Sequence, residues 1–565
     1  MTRDPHRPGT TAGQHSSPDS IPPAGGAPEG SGISTDETTA PTAPTGPTGP
    51  TGPTAPTAST ESMGPTAPTG PTASSPEDAG QCGAPAPVVA VPRPVGGLQE
   101  PVHFIGIGGA GMSAVARVLL GQGVRVSGSD AAESKGLRAL AVLGAVVHVG
   151  HEAAAVPDRG TVVVSSAIRA TNPELQEARR RGLPVIHRSE ALAAAMAGQR
   201  VVAVAGTHGK TTTTAMITVL LRQAGLAPSF AIGGDVAALG VNAEWAGGDV
   251  FVAEADESDG SFLNYDPSIA VVTNAEADHL DHYGTAEAVQ EAFRRFAGRV
   301  SEDGLLVACA DDPGSAALAA AVPTTRRVRT YGYAGTADIR ISDTRALGST
   351  TNSVLSFAVD GLDAQQELQL GVPGRHNILN AAAAFTVALE LGVDPAVAAA
   401  GLSLFSGAAR RFEARGEGDG VRVFDDYAHH PTEVHAALTA ARTVAGERRV
   451  HVLFQPHLFS RTREFAAGFA DALSLADTTT VLPVYAARED PVDDVGGWTI
   501  TERMIGAEAA YVADPEEALR TVVGRAAEGD LVLTIGAGDV TQYGVRLVGL
   551  LRDRAAAAGS GGVSG

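Results

Sequence analysis

Cysteine and lysine are both rare in this chain of 565 residues. Its two cysteines, Cys82 and Cys309, are too few for a disulfide framework or a cysteine-ligated zinc cluster, and such scarcity is typical of a reducing compartment. We therefore expect a cytoplasmic protein. Of the 41 basic residues, 39 are arginines, so lysine is kept only at Lys135 and Lys210.

Aromatic residues make up 4% of the chain, so its hydrophobic cores have to rely on Ala, Val, Leu and Ile. No stretch reaches about 18 uninterrupted apolar residues, and the first residues lack the apolar centre of a signal peptide; we expect no membrane partner. The formal net charge of −22 argues against a nucleic-acid partner, which requires a basic face. Anionic small ligands stay compatible with this charge, because backbone N–H groups can hold a phosphate.

The first 97 residues differ in composition from the rest, with 20 of the 35 prolines and no Leu, Phe, Tyr or Trp. Such a segment cannot bury enough apolar surface to offset its chain entropy. We predict a disordered tail for 1–97 and a second, flexible tail for 556–565.

From Val102 onwards, apolar strands alternate with helical segments, a pattern that indicates parallel, doubly wound α/β sheets. The pattern restarts near Arg200 and again near Val421. We therefore predict three α/β domains, at 98–197, 198–405 and 406–555. Residues 326–372 alternate in short segments without a clear helix, which predicts a small β subregion.

Three glycines, Gly106, Gly108 and Gly111, form a G-x-G-x-x-G motif between the first strand and the helix after it. Glycines at this spacing let the backbone approach a pyrophosphate, which the helix N-terminus stabilises. Asp130 follows Gly111 by 19 residues, where an acid that binds ribose is expected. The motif alone leaves three alternatives open: a nucleotide such as a UDP-sugar, a nicotinamide dinucleotide, or a turn that only serves packing.

A second glycine-rich loop, GTHGKTT, directly follows the apolar strand VVAVA. Lys210 of this loop is placed to bind the β- and γ-phosphates of ATP, and Thr211 to offer a hydroxyl to Mg²⁺. The strict Walker spacing requires a glycine where this chain has Val204, so we interpret the loop as a shortened variant. The predicted ATP-binding residues here are Gly206, Thr207, His208, Gly209, Lys210, Thr211 and Thr212.

Acidic residues follow the next two apolar strands. Glu254 ends the first of them, at the position that holds Mg²⁺ in P-loop domains. For the acids after it, at 256, 257 and 259, a solvated loop is the alternative interpretation. The second strand is followed by NAEADHLDHY, whose His and Asp can supply a further metal ligand; a structural histidine is the alternative there.

Taken in order, these motifs resemble those of the Mur ligase family, the ATP-dependent enzymes that attach amino acids to the peptidoglycan precursor. The similarity extends from about Pro101 to Arg554, through GIGGAGMSAVA, GTHGKTTTT, EADESDGSF, NAEADHLDHY, PGRHNILNAAAA, RRFE, DDYAHHPTE, QPH, SRT and GAGD. It implies an N-terminal Rossmann-like domain for a UDP-sugar, a central P-loop ATPase domain, and a C-terminal Rossmann-like domain for the incoming amino acid.

Within the family, the histidine of GTHGKT and the string EADESDGSF are similar to those of the member that adds L-alanine. The resemblance implies that the lactyl carboxylate of UDP-N-acetylmuramate attacks the γ-phosphate of ATP, and that L-alanine then attacks the resulting acyl phosphate. It implies ATP and Mg²⁺ as cofactors and a role in peptidoglycan synthesis, cell shape and division. Another Mur-type or folylpolyglutamate-type ligase, a nicotinamide reductase and an inactive scaffold are the alternatives.

The resemblance also implies roles for single residues, taken from their places in the motifs. The implied metal ligands are Thr211, Glu254 and His279, and the implied catalytic residues are Lys210, Glu254, His279, His429 and Arg461. Beyond the glycine-rich loop, the implied ATP contacts are Asn377 and Asn380 on adenine, Arg411 on the phosphates and Asp426 on the ribose. The implied UDP-sugar contacts are Gly106, Gly108, Gly109, Gly111, Asp130, Ser165 and Tyr427.

Three residues near the C-terminal motifs are implied to act together at the reacting groups. Tyr427, His429 and Arg461 hold the muramoyl carboxylate, the phosphoryl group and the amino acid, and His429 or His430 either accepts a proton or is structural. Many relatives carry a second arginine where this chain has Leu458. No lysine follows DHLD, which excludes the carbamylated lysine that bridges two Mg²⁺ ions in several sibling ligases.

Overall fold

The computed structural model describes residues 96–560 apart from 360, 488 and 507. The tail predicted at 1–97 lies outside the described residues, except for its last two positions. Alanine, valine, leucine and isoleucine dominate the buried cores, as the low aromatic content requires. Among the described helices, none is both long enough and apolar enough to cross a membrane.

The N-terminal module is a parallel sheet of five strands with helices between them. Its strands are β1 (Val102–Ile105), β2 (Val126–Asp130), β3 (Val146–Val149), β4 (Thr161–Val164) and β5 (Val185–His187). Its helices are α1 (Ala110–Gly121), α2 (Lys135–Val142), α3 (Pro173–Arg180) and α4 (Arg188–Ala195). The strand order β3-β2-β1-β4-β5 is that of a doubly wound sheet. The sequence analysis missed the short edge strand β3, in which three of the four residues are exposed.

The central module contains a sheet of ten strands. Its strands are β6 (Arg200–Ala205), β7 (Ser229–Ala231), β8 (Ala243–Glu244), β9 (Val250–Glu254), β10 (Ile269–Val272), β11 (Leu305–Cys309), β12 (Arg327–Gly332), β13 (Ile339–Leu347), β14 (Thr350–Val359) and β15 (Leu362–Leu370). Its helices are α5 (Lys210–Gln223), α6 (Leu280–Tyr283), α7 (Ala286–Gly298), α8 (Pro313–Ala321), α9 (Arg375–Glu390) and α10 (Pro395–Ser403).

The strands of this sheet follow the order β15-β14-β13-β12-β11-β10-β6-β9-β7-β8. The middle of the sheet, in the order β13-β12-β11-β10-β6-β9-β7, is parallel. At the two edges, β14 and β15 on one side and β8 on the other pair antiparallel with their neighbours. The β subregion predicted at 326–372 is therefore present, but it extends the central sheet instead of forming a separate one. Alternate residues of β14 are buried against α9 and its neighbours, which anchors the subregion to the same core.

The C-terminal module contains a six-stranded sheet in the order β16-β17-β21-β18-β19-β20. Its strands are β16 (Glu413–Gly418), β17 (Val421–Asp426), β18 (Val450–Phe454), β19 (Thr478–Val481), β20 (Glu508–Tyr511) and β21 (Leu531–Ile535). Its helices are α11 (Pro431–Ala445), α12 (Phe459–Leu473), α13 (Trp498–Thr501), α14 (Pro515–Arg525) and α15 (Thr541–Ser560). Only β16 is antiparallel to its neighbour.

Helix α15 continues to Ser560, so the flexible tail predicted at 556–565 is wrong for its first five residues. Alanines occupy 555–558, and alanine is the best helix-forming residue. The last five residues lie outside the described part of the chain.

The carboxyl ends of the parallel strands position the sequence motifs. The loops after β6, β9 and β10 carry the GTHGKT loop, the acids from Glu254 onwards and the NAEADH segment. The loops after β17 and β18 carry the DDYAHH and QPH segments of the C-terminal module. Because parallel strands end at the same edge of a sheet, loops that are far apart in sequence meet there.

Candidate active site

The GTHGKT loop turns from β6 into α5 at Gly209. Gly209 has a φ of +83° and caps the helix, a conformation that side chains rarely adopt. A Cβ at this position would lie 2.6 Å from Oδ1 of Asn380. The turn therefore requires glycine for its backbone angle and for the close approach of Asn380.

Lys210 begins α5 and folds back over the loop. Its Nζ donates to the carbonyl oxygens of Gly206 (2.7 Å) and Thr207 (3.1 Å) and to Oε1 of Glu257 (2.9 Å). Burial alone would lower the pKa of Lys210, but the neighbouring charges of Glu257 and Asp256 raise it. Lys210 is therefore a fully charged ammonium in a nearly closed site.

Glu257 is buried, with 2% of its surface exposed, so the alternative of a solvated acidic loop is wrong at this position. Its Oε1 binds Lys210, and its Oε2 is buried without a hydrogen-bond partner. The same loop also contacts the N-terminal module, where Nη2 of Arg188 donates to Oδ2 of Asp256 at 2.7 Å. The pKa of Asp256 is lowered to about 2, since Lys210 and Arg188 outweigh its burial.

Thr211 and Glu254 meet beside the loop, as the sequence predicted for a metal-binding pair. The hydroxyl of Thr211 donates to Oε1 of Glu254 at 3.0 Å, and the backbone N–H of Gly233 donates to Oε2 at 2.7 Å. Burial raises the pKa of Glu254. His279 lies nearby with its Nε2 3.5 Å from Oε1 of Glu257. The three predicted metal ligands thus surround the Lys210–Glu257 pair.

A cavity of about 360 Å³ lies between the central and C-terminal modules. Its wall combines the glycine-rich loop (His208, Gly209, Thr212), the start of α9 (Asn377, Asn380) and C-terminal residues Arg411, Asp426 and Glu433. Tyr331, Cys309 and Pro313 line the central module's side of the cavity. Its volume falls in the range of small-molecule sites.

Asn377 and Asn380 lie on one face of α9, both buried, and are joined by a bond from Nδ2 of Asn380 to Oδ1 of Asn377 at 3.4 Å. Nδ2 of Asn377 also donates to the carbonyl oxygen of Pro373 at 2.7 Å. Both residues line the cavity, and their shared helix face is the one that the i, i+3 spacing predicts.

Arg411 and Asp426 occupy the C-terminal wall of the cavity. Asp426 accepts hydrogen bonds from the backbone N–H groups of Phe412 and Ala428, both at 2.8 Å. Burial raises the pKa of Asp426 to about 6. Nη1 of Arg411 lies 3.5 Å from Oε1 of Glu433, so Glu433 balances a cation that the sequence analysis placed on phosphates.

His208, which directly precedes Gly209 in the loop, faces two carboxylates. Its Nδ1 lies 3.2 Å from Oε1 of Glu433 and its Nε2 3.5 Å from Oε2 of Glu276. Burial alone would lower the pKa of His208, but these contacts raise it to about 9. Its ring also packs on His430, with centroids 4.8 Å apart. Because Glu433 and His430 belong to the C-terminal module, His208 connects the two walls of the cavity.

Arg461 and His429 approach the metal-binding side from the C-terminal module. Nη2 of Arg461 binds both carboxylate oxygens of Asp278, at 2.9 and 3.2 Å. Burial lowers the pKa of His429 to about 3, and its Nδ1 contacts the carbonyl oxygen of Tyr427 at 3.1 Å. Leu458 caps α12 with a φ of +68° and is itself buried.

The Gly106–Gly111 turn forms a second site in the N-terminal module, away from the cavity. The N–H of Gly108 donates to Oδ2 of Asp130 at 2.8 Å, which brings the predicted ribose acid onto the turn. Gly109 caps α1, and a Cβ at Gly111 would lie 3.2 Å from Nη1 of Arg188. Ser165 directly follows β4 of the same sheet.

Tyr427 is the one predicted UDP-sugar contact that belongs to another module. It follows β17 in the C-terminal sheet, beneath the guanidinium groups of Arg410 and Arg411 at 4.7 and 5.4 Å from its ring centroid. The structure therefore groups Tyr427 with Arg410 and Arg411 of the C-terminal module and not with the turn at Gly106.

Several residues of the site were not singled out in the sequence analysis, chiefly Glu276, His376 and Glu433, and the ion-pair partner of Asp278 was not predicted. Each is charged or titratable, buried or partly buried, and paired across modules or set in the cavity wall. Glu276 and Asp278 stand in NAEADH and Glu433 ends DDYAHHPTE, so a motif signal existed. Their partners lie too far away in sequence for spacing to predict the pairs.

Three family models match successive parts of the chain. They are the Mur ligase family, catalytic domain, at 101–200, the Mur ligase middle domain at 204–388, and the Mur ligase, glutamate ligase domain, at 410–538. Together they span well over half of the chain, so this protein belongs to the Mur ligase family.

Individual relatives are similar over almost their whole length. The UDP-N-acetylmuramate–L-alanine ligase of Renibacterium salmoninarum is 60% identical over 462 residues, which are 82% of this chain and 98% of the relative. The enzyme of that name from Paenarthrobacter aurescens is 60% identical over 449 residues, 79% of this chain and 96% of the relative. The crystal structure of the UDP-N-acetylmuramate-alanine ligase from Thermotoga maritima matches with a TM-score of 0.67 and 31% identity, over 81% of this chain and 100% of that chain.

Proposed function

We propose that this protein ligates L-alanine to the lactyl carboxylate of UDP-N-acetylmuramate with ATP, in peptidoglycan synthesis. The observation that carries the proposal is the cavity whose wall joins the glycine-rich loop of Lys210, the amides of α9 and the C-terminal Arg411 and Asp426. This set offers groups for each part of ATP in one place. The relatives named UDP-N-acetylmuramate–L-alanine ligase support the choice of substrates.

ATP would lie with its adenine against Asn377 and Asn380, whose amides can donate and accept. Asp426 would accept a ribose hydroxyl, and Arg411 and Lys210 would bind the phosphates. Lys210 has to leave Glu257 and the loop carbonyls to reach a phosphate. The flexible lysine side chain can make this movement, because its compact ammonium group, unlike a guanidinium, needs no fixed planar geometry to bind an oxygen.

Mg²⁺ fits beside this loop. Thr211, Glu254 and His279 supply a hydroxyl, a carboxylate and an imidazole, and Glu257, whose Oε2 is buried without a hydrogen-bond partner, lies beside His279. When bound, the ion neutralises charge on the phosphates. Glu254 and Thr211 already hold each other in place, so that the site is largely formed before the nucleotide enters.

The UDP-sugar would bind at the Gly106–Gly111 turn, where backbone N–H groups at the start of α1 face the pyrophosphate. Asp130, held by the N–H of Gly108, would contact the ribose, and Ser165 lies at the end of a neighbouring strand. The lactyl carboxylate would then reach toward the central module, past the contact between Arg188 and Asp256.

The reaction needs an activated acyl group, because a carboxylate oxygen is a poor leaving group. The lactyl carboxylate attacks the γ-phosphorus of ATP and ADP leaves, which gives an acyl phosphate. The neutral amine of L-alanine attacks that carbonyl, phosphate leaves, and the amine proton goes to water or a nearby base. The enzyme contributes positioning and charge neutralisation through Lys210 and Arg461. We propose a cytoplasmic location, because the reaction uses ATP as co-substrate.

His429 is better suited to orient a substrate than to accept the amine proton. With a pKa of about 3 in its buried position, it is neutral near pH 7 and a weak base. Its contacts with the carbonyl oxygen of Tyr427 and with Glu433 hold the ring in place.

Phosphate release measured with ATP, UDP-N-acetylmuramate and one amino acid at a time tests the proposal. We expect L-alanine to give the fastest turnover, with a product that contains one alanyl residue by mass spectrometry. Glycine, L-serine, D-glutamate and the tripeptide of recycled murein serve as competitors. Preference for D-glutamate or the tripeptide would assign the chain to another Mur reaction. Turnover only with a pterin substrate and glutamate would favour the folylpolyglutamate type.

A further inference from the structure

Three side chains of the kinds that bind transition metals meet where the central module contacts the C-terminal one. One ligand atom each of His208, Glu276 and His430 lies within 4.8 Å of the other two. His208 comes from the glycine-rich loop, Glu276 from the segment after β10, and His430 caps α11. The group is separate from Thr211, Glu254 and His279, the proposed Mg²⁺ ligands.

Three of the four ring nitrogens of this group make no hydrogen bond of good geometry, although the two of His208 lie 3.2 and 3.5 Å from carboxylate oxygens of Glu433 and Glu276. His430 is 6% exposed, and its Nε2 is buried without a hydrogen-bond partner. Its Nδ1 is used, because it accepts the N–H of Thr432 at 3.4 Å. Both ring nitrogens of His208 are also buried without a hydrogen bond of good geometry. Unsatisfied buried polar atoms are rare in native proteins, and a missing ion is one explanation.

We propose that His208, Glu276 and His430 bind a divalent transition-metal ion, of which Zn²⁺ and Co²⁺ are the probes. Two imidazoles and one carboxylate form a donor set that suits these ions better than Mg²⁺, which prefers oxygen ligands and meets one imidazole, that of His279, at its own proposed site. The ion takes the place of the His208 proton. A fourth position remains for water or a bound anion, as in other three-ligand sites.

The surroundings supply what such a site needs around its direct ligands. Glu433 lies 3.2 Å from Nδ1 of His208, so it can hold the imidazole while Nε2 faces Glu276 and the metal. A carboxylate in this position orients a metal-binding histidine. Oε2 of Glu276 accepts a bond from the hydroxyl of Thr432 at 2.8 Å, which fixes that carboxylate next to the cap of α11.

Binding requires a small closing movement. Metal–ligand bonds of about 2.0–2.2 Å place ligand atoms closer together than the present separations of up to 4.8 Å. The start of α11 therefore has to move toward the glycine-rich loop. An ion at this place would tie the two modules together across the mouth of the cavity.

Co²⁺ titration of the whole protein, followed by visible absorption in excess Mg²⁺, tests the site. We expect the bands of a four-coordinate Co²⁺ ion with one equivalent bound, and their loss when Zn²⁺ is added. His430→Asn removes the ligand but keeps a good helix cap, and it should weaken Zn²⁺ binding at least about 100-fold, which exceeds the usual effect of losing an outer-sphere partner. His435→Asn, an exposed position on the same helix, is the matched control and should bind as the unmodified protein does.

Glu276→Gln provides a second variant in case His430→Asn does not fold, since a third of the Glu276 side chain is exposed. It should weaken Zn²⁺ binding and abolish the Co²⁺ bands, and a cooperative unfolding transition in the absence of metal shows that the variant is folded. Equal Zn²⁺ affinity in Glu276→Gln and His435→Asn, or no Co²⁺ bands in the unmodified protein, would overturn the proposal. The measurement needs no ligase activity, so a failure here is distinct from a failure of the proposed function.

Discussion

Arg461 and Asp278 form a buried ion pair that joins the C-terminal module to the central one, with Nη2 2.9 Å from Oδ1. Asp278 is next to His279, the proposed metal ligand, and Arg461 lies in the first turn of α12. Arg461 holds the pKa of Asp278 well below its ordinary value, against the opposing effect of burial. The pair therefore couples the position of α12 to the segment that carries His279, the proposed metal ligand.

Asp278→Asn should destabilise the protein by about 3–5 kcal/mol, because it leaves the buried guanidinium of Arg461 without its counter-charge. The matched control is Asp494→Asn, which breaks the exposed pair with Arg463 on the same helix and should cost at most about 1 kcal/mol. Denaturant unfolding of both variants measures the difference. Equal losses would show that the Asp278 pair contributes no more than a surface contact.

Lys210→Arg should lower kcat for phosphate release by at least about 100-fold, although the charge is kept. Lys210 sits between two loop carbonyls and Glu257, a space that suits an ammonium and not a broad, planar guanidinium. Lys135→Arg changes the only other lysine, at the start of α2, and should leave kcat unchanged. Near-normal turnover of Lys210→Arg would remove this loop from the reaction.

Gly108→Val should raise the KM for UDP-N-acetylmuramate strongly and the KM for ATP little. A Cβ at Gly108 would lie 2.8 Å from Oδ2 of Asp130, so the carboxylate of Asp130 has to move. The new side chain also blocks access to the backbone N–H of residue 108. Lost charge-assisted bonds of about 1.5–3 kcal/mol each remove one to two decades of affinity apiece. Steady-state kinetics with each substrate varied in turn provide the measurement. A rise confined to the KM for ATP would mean that the two nucleotides are assigned to the wrong modules.

We expect the ionised side chain of Glu174 to stabilise the N-terminal module and this stabilisation to be lost in acid. It is fully buried and bonds His103 at 2.7 Å, Ser129 at 2.6 Å and His151 at 2.8 Å. Burial would raise its pKa, but these bonds outweigh burial and lower it. A lowered folded-state pKa means that the stabilisation is complete above about pH 4.3, the ordinary glutamate value, and is lost as the pH falls below it.

Glu174→Gln should therefore be less stable than the unmodified protein by about 1–3 kcal/mol at pH 7, and the difference should shrink below about pH 4. Urea unfolding at a series of pH values provides the test. Glu133→Gln, which changes an exposed ion pair with Arg138 in the same module, is the control and should show a much smaller difference. If the difference in free energy of unfolding between Glu174→Gln and the unmodified protein stays constant down to pH 3, the ionised form of Glu174 is not what stabilises the module.

Deletion of residues 1 to 97 should leave the melting temperature and kcat unchanged. A segment without Leu, Phe, Tyr or Trp has few side chains that could add to a core. Thermal unfolding and phosphate release of the truncated protein check this expectation. A marked fall in melting temperature would show that the tail contacts the rest of the protein.

The sequence by itself determined the class of fold and the chemistry of the loops. Alternating apolar strands and helices predicted the parallel sheets, because a strand buried on both faces reads as an apolar run. The cluster of Lys210, Thr211 and Glu254 was predicted from the glycines and the rare lysine after one strand and from the acid at the end of another. These signals are local, because each depends on the residue types next to a single strand. Strands β3, β5, β7, β8 and β20 were not identified because they are short and lie at or next to a sheet edge, where the apolar signal is weak. Strands β11 and β16 were also missed, although they have five and six residues.

Only the tertiary structure decided which charges compensate one another. Arg461 and Asp278 are separated by 183 residues, and Lys210 and Glu257 by 47. No local rule relates such positions, because the pairs arise where the carboxyl ends of strands meet, within the central sheet for Lys210 and Glu257 and between two sheets for Arg461 and Asp278. Glu257 illustrates the reason. An acid in a loop is usually solvated, but folding closes the site around Lys210 and buries Glu257 there. The carboxylate of Glu257 then becomes the counter-ion of the buried ammonium of Lys210.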